Sequence, residues 1–294
     1  MKGIVLAGGN GTRLYPLTIN TSKQLLPVYD KPMIYYPLST LMLFGIRDIL
    51  IISTPRDLPN IEKLFGGGSH LGLKISYKAQ PKPQGIAQAF TIGADFIQND
   101  PVALILGDNI FYFGAGNISQ YVAKIKANPN NAVIFASQVP DPERFGVVEF
   151  NKEYKVISIE EKPKQPKSNY VSVGLYFYPG DIVKKASSLT PSARGELEIT
   201  DLNNLYRQEG RLMAMVLGRG NAWLDAGTPE SLLESSAFIS ILEHRQGLKL
   251  ACLEEVALRQ KFIDEKQFLK FIGELGNCNY KTYLEKVHQE IHGV

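Results

Sequence analysis

At 294 residues, with 44% apolar and 21% charged positions, the chain is long enough to bury a core and too rich in aliphatic residues to stay disordered. Roughly 150 residues per domain allows one large domain or two modest ones. The 32 basic and 29 acidic residues leave a formal charge of +3, too balanced to point to nucleic acid, and no apolar run approaches the roughly 18 residues of a membrane span. Cys252 and Cys278 match no metal spacing and fit a reducing compartment. The run Gly3–Ala7 is too short for a signal peptide, so the expectation is a cytoplasmic protein with neither a nucleic-acid nor a membrane partner.

In chain order, the runs at 3–7, 49–52, 102–106 and 133–136 read as buried strands, because they are continuously apolar rather than alternating. Amphipathic helical stretches are expected at 32–44 and 84–97. Alternating β and α units imply a doubly wound, mostly parallel sheet flanked by helices, with right-handed crossovers. After about residue 140 the texture changes. Strands at 146–150, 156–159 and 170–178, separated by Pro-, Lys- and Asn-rich turns, suggest a smaller mixed or antiparallel sheet segment. From Thr228 the pattern is helical. Thr228-Pro229 supplies a hydroxyl cap followed by Pro, and Asp264 with Gln267 resembles a capping box.

The first strand runs straight into Gly8-Gly9-Asn10-Gly11-Thr12-Arg13. A glycine-rich turn at the carboxyl edge of a parallel sheet lets backbone N–H groups approach phosphate oxygens, and Arg13 adds a permanent cation. Two familiar phosphate loops do not fit. A dinucleotide fingerprint requires glycine where Leu14 stands and an acid where Ser53-Thr54 ends the second strand, and no Gly-Lys-Ser/Thr follows for a P-loop.

Leu6–Leu14 followed by Ser22-Lys-Gln-Leu-Leu-Pro27 resembles the signature of the sugar-1-phosphate nucleotidyltransferases. Asp30–Pro37, Gly107-Asp108-Asn109, Asp141–Gly146, Glu160–Pro163, Arg194–Asp201 and Ala222–Thr228 extend the resemblance, in order, over nearly the whole chain. The ensemble is most similar to the thymidylyltransferase branch of that family. The resemblance implies an enzyme that joins dTTP and α-D-glucose 1-phosphate into dTDP-glucose and pyrophosphate, with Mg²⁺ as cofactor and a homotetrameric assembly. It also implies one domain with a nucleotide layer at about 1–140, a sugar-phosphate segment at about 141–227 and a helical region at about 228–294.

Roles follow residue by residue from the same resemblance. Asp108 and Asp225 would hold the metal. Gly8, Gly9, Gly11, Thr12, Arg13, Lys23, Gln24, Gln80, Gly85 and Asp108 would bind the nucleotide. Asn109, Gly146, Glu161, Lys162, Ser172, Tyr176 and Arg194 would form the sugar-phosphate side. Arg13, Lys23, Asp108, Lys162 and Asp225 would carry catalysis. Glu255 and Arg259 stand four apart on one face of an expected helix; with Gly218 and Arg219 they match a regulatory nucleotide site in that branch. Use of UTP or another sugar phosphate, or a non-catalytic sugar-nucleotide-binding regulator, stay open as alternatives. His70, His244, His288 and His292 fall outside every motif and read as surface or structural residues, and no zinc ligand set is visible.

Overall fold

The computed structural model of the chain describes residues 1–114 and 116–293. Its strands are β1 (Lys2–Ala7), β2 (Pro27–Val28), β3 (Lys31–Pro32), β4 (Asp48–Ser53), β5 (Lys74–Ala79), β6 (Val102–Leu106), β7 (Asn109–Tyr112), β8 (Ala132–Gln138), β9 (Gly146–Phe150), β10 (Val156–Glu161), β11 (Tyr170–Tyr178), β12 (Leu212–Val216) and β13 (Ala222–Asp225). Its helices are α1 (Tyr35–Leu43), α2 (Leu58–Phe65), α3 (Gln88–Ile92), α4 (Ala94–Ile97), α5 (Asn117–Ala127), α6 (Ile182–Ser187), α7 (Ile199–Gln208), α8 (Pro229–Gln246), α9 (Leu253–Arg259), α10 (Glu265–Glu274) and α11 (Asn279–Ile291).

One half of the main sheet, β5-β4-β1-β6, is parallel throughout. Beyond β6, β11 runs antiparallel; β9, with β10 outside it, pairs with the start of β11, β8 pairs along its other edge, and β12 runs parallel to β8. The strand side chains alternate between two covered faces, which is why these segments read as unbroken apolar runs. Val5, Ile49, Ile51 and Ile105 join α1, α2, α9, α10 and α11 on one face. Ile4, Leu50, Ile52 and Leu104 join α3, α4, α6 and α7 on the other.

Two expectations change on contact with the structure. The 32–44 stretch is not amphipathic: Tyr36 to Met42 are all buried in α1, enclosed between the sheet, β7 and α9. The 84–97 stretch is two helices rather than one. They break at Gly93, where the backbone lies so close to the sheet that a Cβ would stand 3.1 Å from Leu50 Cδ2. The caps at Thr228 and Asp264 form as read, each with its reciprocal side-chain bond.

The chain enters at β1, builds outward through β4 and β5, then crosses back to place β6 on the other side of β1. Strand order therefore reverses between β1 and β6. The crevice at the carboxyl ends of those two strands is where open α/β sheets bind ligands. The loops leaving them are Gly8–Arg13 and Gly107-Asp108.

Candidate active site

At that crevice Gly9 and Gly11 adopt φ of 87° and 61°, left-handed values that turn successive backbone N–H groups outward as an anion nest requires. Gln24, buried beneath the loop, donates its amide to the Gly8 carbonyl at 3.2 Å and accepts from Ser22. Gln80 packs against Gly8 from the far side and donates to Gln88 at 2.7 Å. Gly85 has φ of 99°, and a Cβ there would lie 2.6 Å from the Leu197 backbone nitrogen. The 80–85 loop thus seats directly on the Arg194–Asp201 segment, stitched by Leu197 N–H to the Gln84 carbonyl at 2.7 Å.

Asp108 leaves the end of β6 and is buried. Burial alone would raise its carboxyl. The Lys23 ammonium paired with it, and the Asn109 amide donating at 3.1 Å, hold it below the ordinary carboxylate range. Asp225 arrives by another route. The ribbon of β7 and β13 is antiparallel, and its register sets Asp225 opposite Asn109. Burial and the negative charge of Asp108 push Asp225 up, against the pull of Arg13, Lys23 and Arg144. Two neighbouring carboxylates whose charges oppose one another are an oxygen donor set suited to a hard divalent cation, which would relieve that opposition.

A cavity of about 350 Å³ opens beside this pair. All seven residues expected on the sugar-phosphate side line it, together with Arg13, Asp108 and Asp225. Sheet register explains the convergence. Glu161 pairs with Gly146, and Gly146 pairs with Ser172, so three strands present these residues in one row. Thr200 donates to Glu161 at 2.6 Å. Lys162 stands at the strand end with φ of 46°, an uncommon backbone state for a residue with a side chain. Ser172 lines the cavity beside Tyr176, with its Oγ buried. Arg194 is exposed and held by Glu198 at 2.7 and 3.1 Å, with Glu161 at 3.5 Å.

Motif residues that carried no assigned role also line the cavity: Arg144, Phe145, Glu196, Glu198, Ile199 and Trp223. They stood inside quoted motifs, and the signal was there in Arg144 and Glu198, charged residues beside assigned ones. Gly8, Gly9, Gly11, Thr12, Lys23, Gln24, Gln80 and Gly85 do not line this cavity; Lys23 reaches it only through its pairing with Asp108. A larger groove of about 770 Å³ between α1, α5 and α8 has no carboxylate among its lining residues.

The four residues expected at a regulatory site fall in two places. Arg219 and Gly218 are exposed on a loop against Gly114, with a Gly114 Cβ position 2.8 Å from the Gly220 carbonyl. Arg259 bonds Glu255 at 2.7 Å, and Glu255 accepts from Tyr283 at 2.5 Å. No hydrogen bond or ion pair among the described residues links Arg219 to either.

A family model described as nucleotidyl transferase matches residues 2–241. The glucose-1-phosphate thymidylyltransferase of Neisseria meningitidis serogroup A is 54% identical over 284 residues, covering 97% of this chain and 98% of that one. The Mycobacterium tuberculosis enzyme of the same name is 54% identical over 285 residues, with the same coverage. A crystal structure from Bacillus anthracis, presented as a candidate glucose-1-phosphate thymidylyltransferase with bound sucrose, superposes with a TM-score of 0.75. It is 44% identical and covers 81% of this chain and 94% of its own. With motif order, fold and switch-point site in agreement, the chain belongs to the nucleotidyl transferase family and, within it, to the glucose-1-phosphate thymidylyltransferases.

Proposed function

We infer that this enzyme transfers the thymidylyl group of dTTP to α-D-glucose 1-phosphate, releasing pyrophosphate and forming dTDP-glucose. The observation that carries this reading is the single cavity that gathers Glu161, Lys162, Ser172 and Arg194 beside Asp108 and Asp225, with Arg13, which follows the glycine loop, among its lining residues. Kinship at 54% identity over nearly the full length supports the choice of substrates.

The reaction needs two polyanions brought together and a sugar-phosphate oxygen aligned with the α-phosphorus opposite the pyrophosphate. Positioning and charge stabilisation suffice, with no protein nucleophile. On this reading the Gly8–Thr12 amides cradle the triphosphate, and Arg13 with Lys23 takes up charge on the departing pyrophosphate. Lys162 and Arg194 hold the sugar phosphate, and Glu161 accepts from sugar hydroxyls while Thr200 fixes its rotamer. Ser172 and Tyr176 complete the wall of the sugar pocket. The Gln80 amide, with donor and acceptor together, suits the imide edge of thymine. Asp108 and Asp225 are the residues that would hold a divalent cation, for which we propose Mg²⁺; such an ion neutralises charge on phosphate oxygens.

A pyrophosphate-release assay across dTTP, UTP and several sugar 1-phosphates tests the assignment. The expected result is turnover with dTTP and glucose 1-phosphate above all other pairs. A chiral α-thio-dTTP should give inversion at phosphorus. Net retention would require a covalent nucleotidyl-enzyme and overturn the single displacement.

A further inference from the structure

At the far end of the helical region, three side chains converge that play no part in the proposed reaction. Glu265 is the first residue of α10; His288 lies in the last turns of α11, and His292, four residues on, caps its C-terminal end. His288 Nε2 lies 2.7 Å and His292 Nε2 2.8 Å from the same oxygen, Glu265 Oε1. All three ligating atoms fall within 4.8 Å of one another, and theirs is the one such group found among the described residues.

The frame around them is fixed. Glu265 follows a complete capping box, with Gln267 N–H donating to Asp264 Oδ1 at 2.8 Å and the Gln267 side chain returning to Asp264 N–H at 3.1 Å. The two helices pack through Phe268, Ile272, Leu284 and Val287, all buried. The cluster itself stays at the surface, where an ion can enter.

We propose that Glu265, His288 and His292 form a second metal site, distinct from the Asp108–Asp225 pair, that takes a first-row transition ion of the zinc class and clips the last helix to the start of α10. The donor chemistry selects the ion. Magnesium seeks oxygen ligands, whereas a neutral imidazole pair with one carboxylate suits Zn²⁺ and its neighbours. An imidazole pair four residues apart at a helix end, with a third ligand from another element, leaves a fourth tetrahedral position for water. The sequence alone hid the set, because Glu265 stands 23 and 27 residues from its partners. Only the α10–α11 packing brings them together.

The test uses Zn²⁺ as the probe, on the full chain at saturating Mg²⁺. Calorimetry should find one Zn²⁺ per chain that the His288→Ala/His292→Ala variant does not bind. Glu265→Gln should weaken binding by at least about tenfold, since even outer partners of metal ligands are worth 10–100-fold. Zn²⁺ should raise the melting temperature of the parent and leave that of the double variant unmoved, as expected for an ion that binds only the folded state. Thymidylyl transfer with Mg²⁺ should be unchanged in both variants. Unaltered Zn²⁺ affinity in the double variant, or no Zn²⁺ bound by the parent at about 100 μM, overturns the proposal.

Discussion

Asn109 is the residue on which the two halves of the site hang, and Asn109→Ala separates its structural from its chemical work. Its Oδ1 accepts from the Trp223 indole at 2.7 Å and from the Gly174 amide at 3.1 Å, while its Nδ2 donates to Asp108 at 3.1 Å. Truncation leaves the Gly174 amide buried without an acceptor, a loss of about 1–3 kcal/mol. Trp223 is only half-buried, so water can serve its indole and about 1 kcal/mol is the ceiling there. The sum is about 1–4 kcal/mol, or a fall in Tm of roughly 2–7 °C for a chain of this size. Urea and thermal unfolding measure it, with pyrophosphate release in parallel. Asn109→Asp is the informative partner. It keeps the acceptor for both donors but sets a carboxyl against Asp108 and across the ribbon from Asp225, so its folded pKa is raised. Its penalty is absent below the unfolded value of about 3.9 and grows as pH rises through the folded one. An Asn109→Ala protein within about 0.5 kcal/mol of the parent, or an Asn109→Asp deficit independent of pH, refutes this account.

Three further outcomes follow from the geometry. Lys31 is almost fully enclosed between Asp30 and Glu243 of α8, and Lys249 pairs with both carboxylates as well, so Lys31→Met removes the buried cation of a network that keeps one, and should cost about 1–3 kcal/mol in urea unfolding; a loss under about 0.5 kcal/mol would contradict it. Gly85→Ala must strain a left-handed backbone against Leu197, and should raise KM for both substrates by at least about tenfold in steady-state kinetics while the fold persists. Because the Asp108 charge raises Asp225, Asp108→Asn should lower the Asp225 pKa in a ¹³C carboxyl titration, and an unmoved or higher value would show that the two do not face each other.

The fold was legible where physics is local. Four continuous apolar runs named the central strands, and two hydroxyl- or carboxyl-led caps named helix starts. Two other strands of the main sheet were not read, nor were the short ribbons β2–β3 and β7–β13. In β5 the apolar residues Ile75, Tyr77 and Ala79 alternate with polar ones at the sheet edge, and β12 is a short run between a charged turn and a glycine loop. The burial of α1 on all sides was illegible because periodicity reports one covered face, and α1 has the sheet on one side and α9 on another. The sugar-side residues came from motif resemblance, but their convergence came from register. Nothing within 146–172 says that Glu161, Gly146 and Ser172 will share a row until three strands are paired. The Asp30–Pro37 motif, equally prominent in sequence, contributes packing instead: its lysine is spent on Asp30 and Glu243 and anchors α8 beside β2.

The charges of the site have a logic that no single motif displays. Two of the cations that the proposed function gives to substrate are held by carboxylates of the protein: Lys23 by Asp108, and Arg194 by Glu198 and Glu161. Such pairing keeps Asp108 ionised despite burial, and it keeps Arg194 in place on an exposed loop. On the proposed function, the arriving phosphates compete for the cations as a metal ion competes for the carboxylates. Both exchanges conserve charge balance in a poorly solvated crevice, where an unpaired ion would cost several kcal/mol. Asp225 is the exception, since its strongest neighbour is another carboxylate. Arg13, Lys23 and Arg144 offset that charge only in part, and on the proposed function a divalent cation would supply the rest.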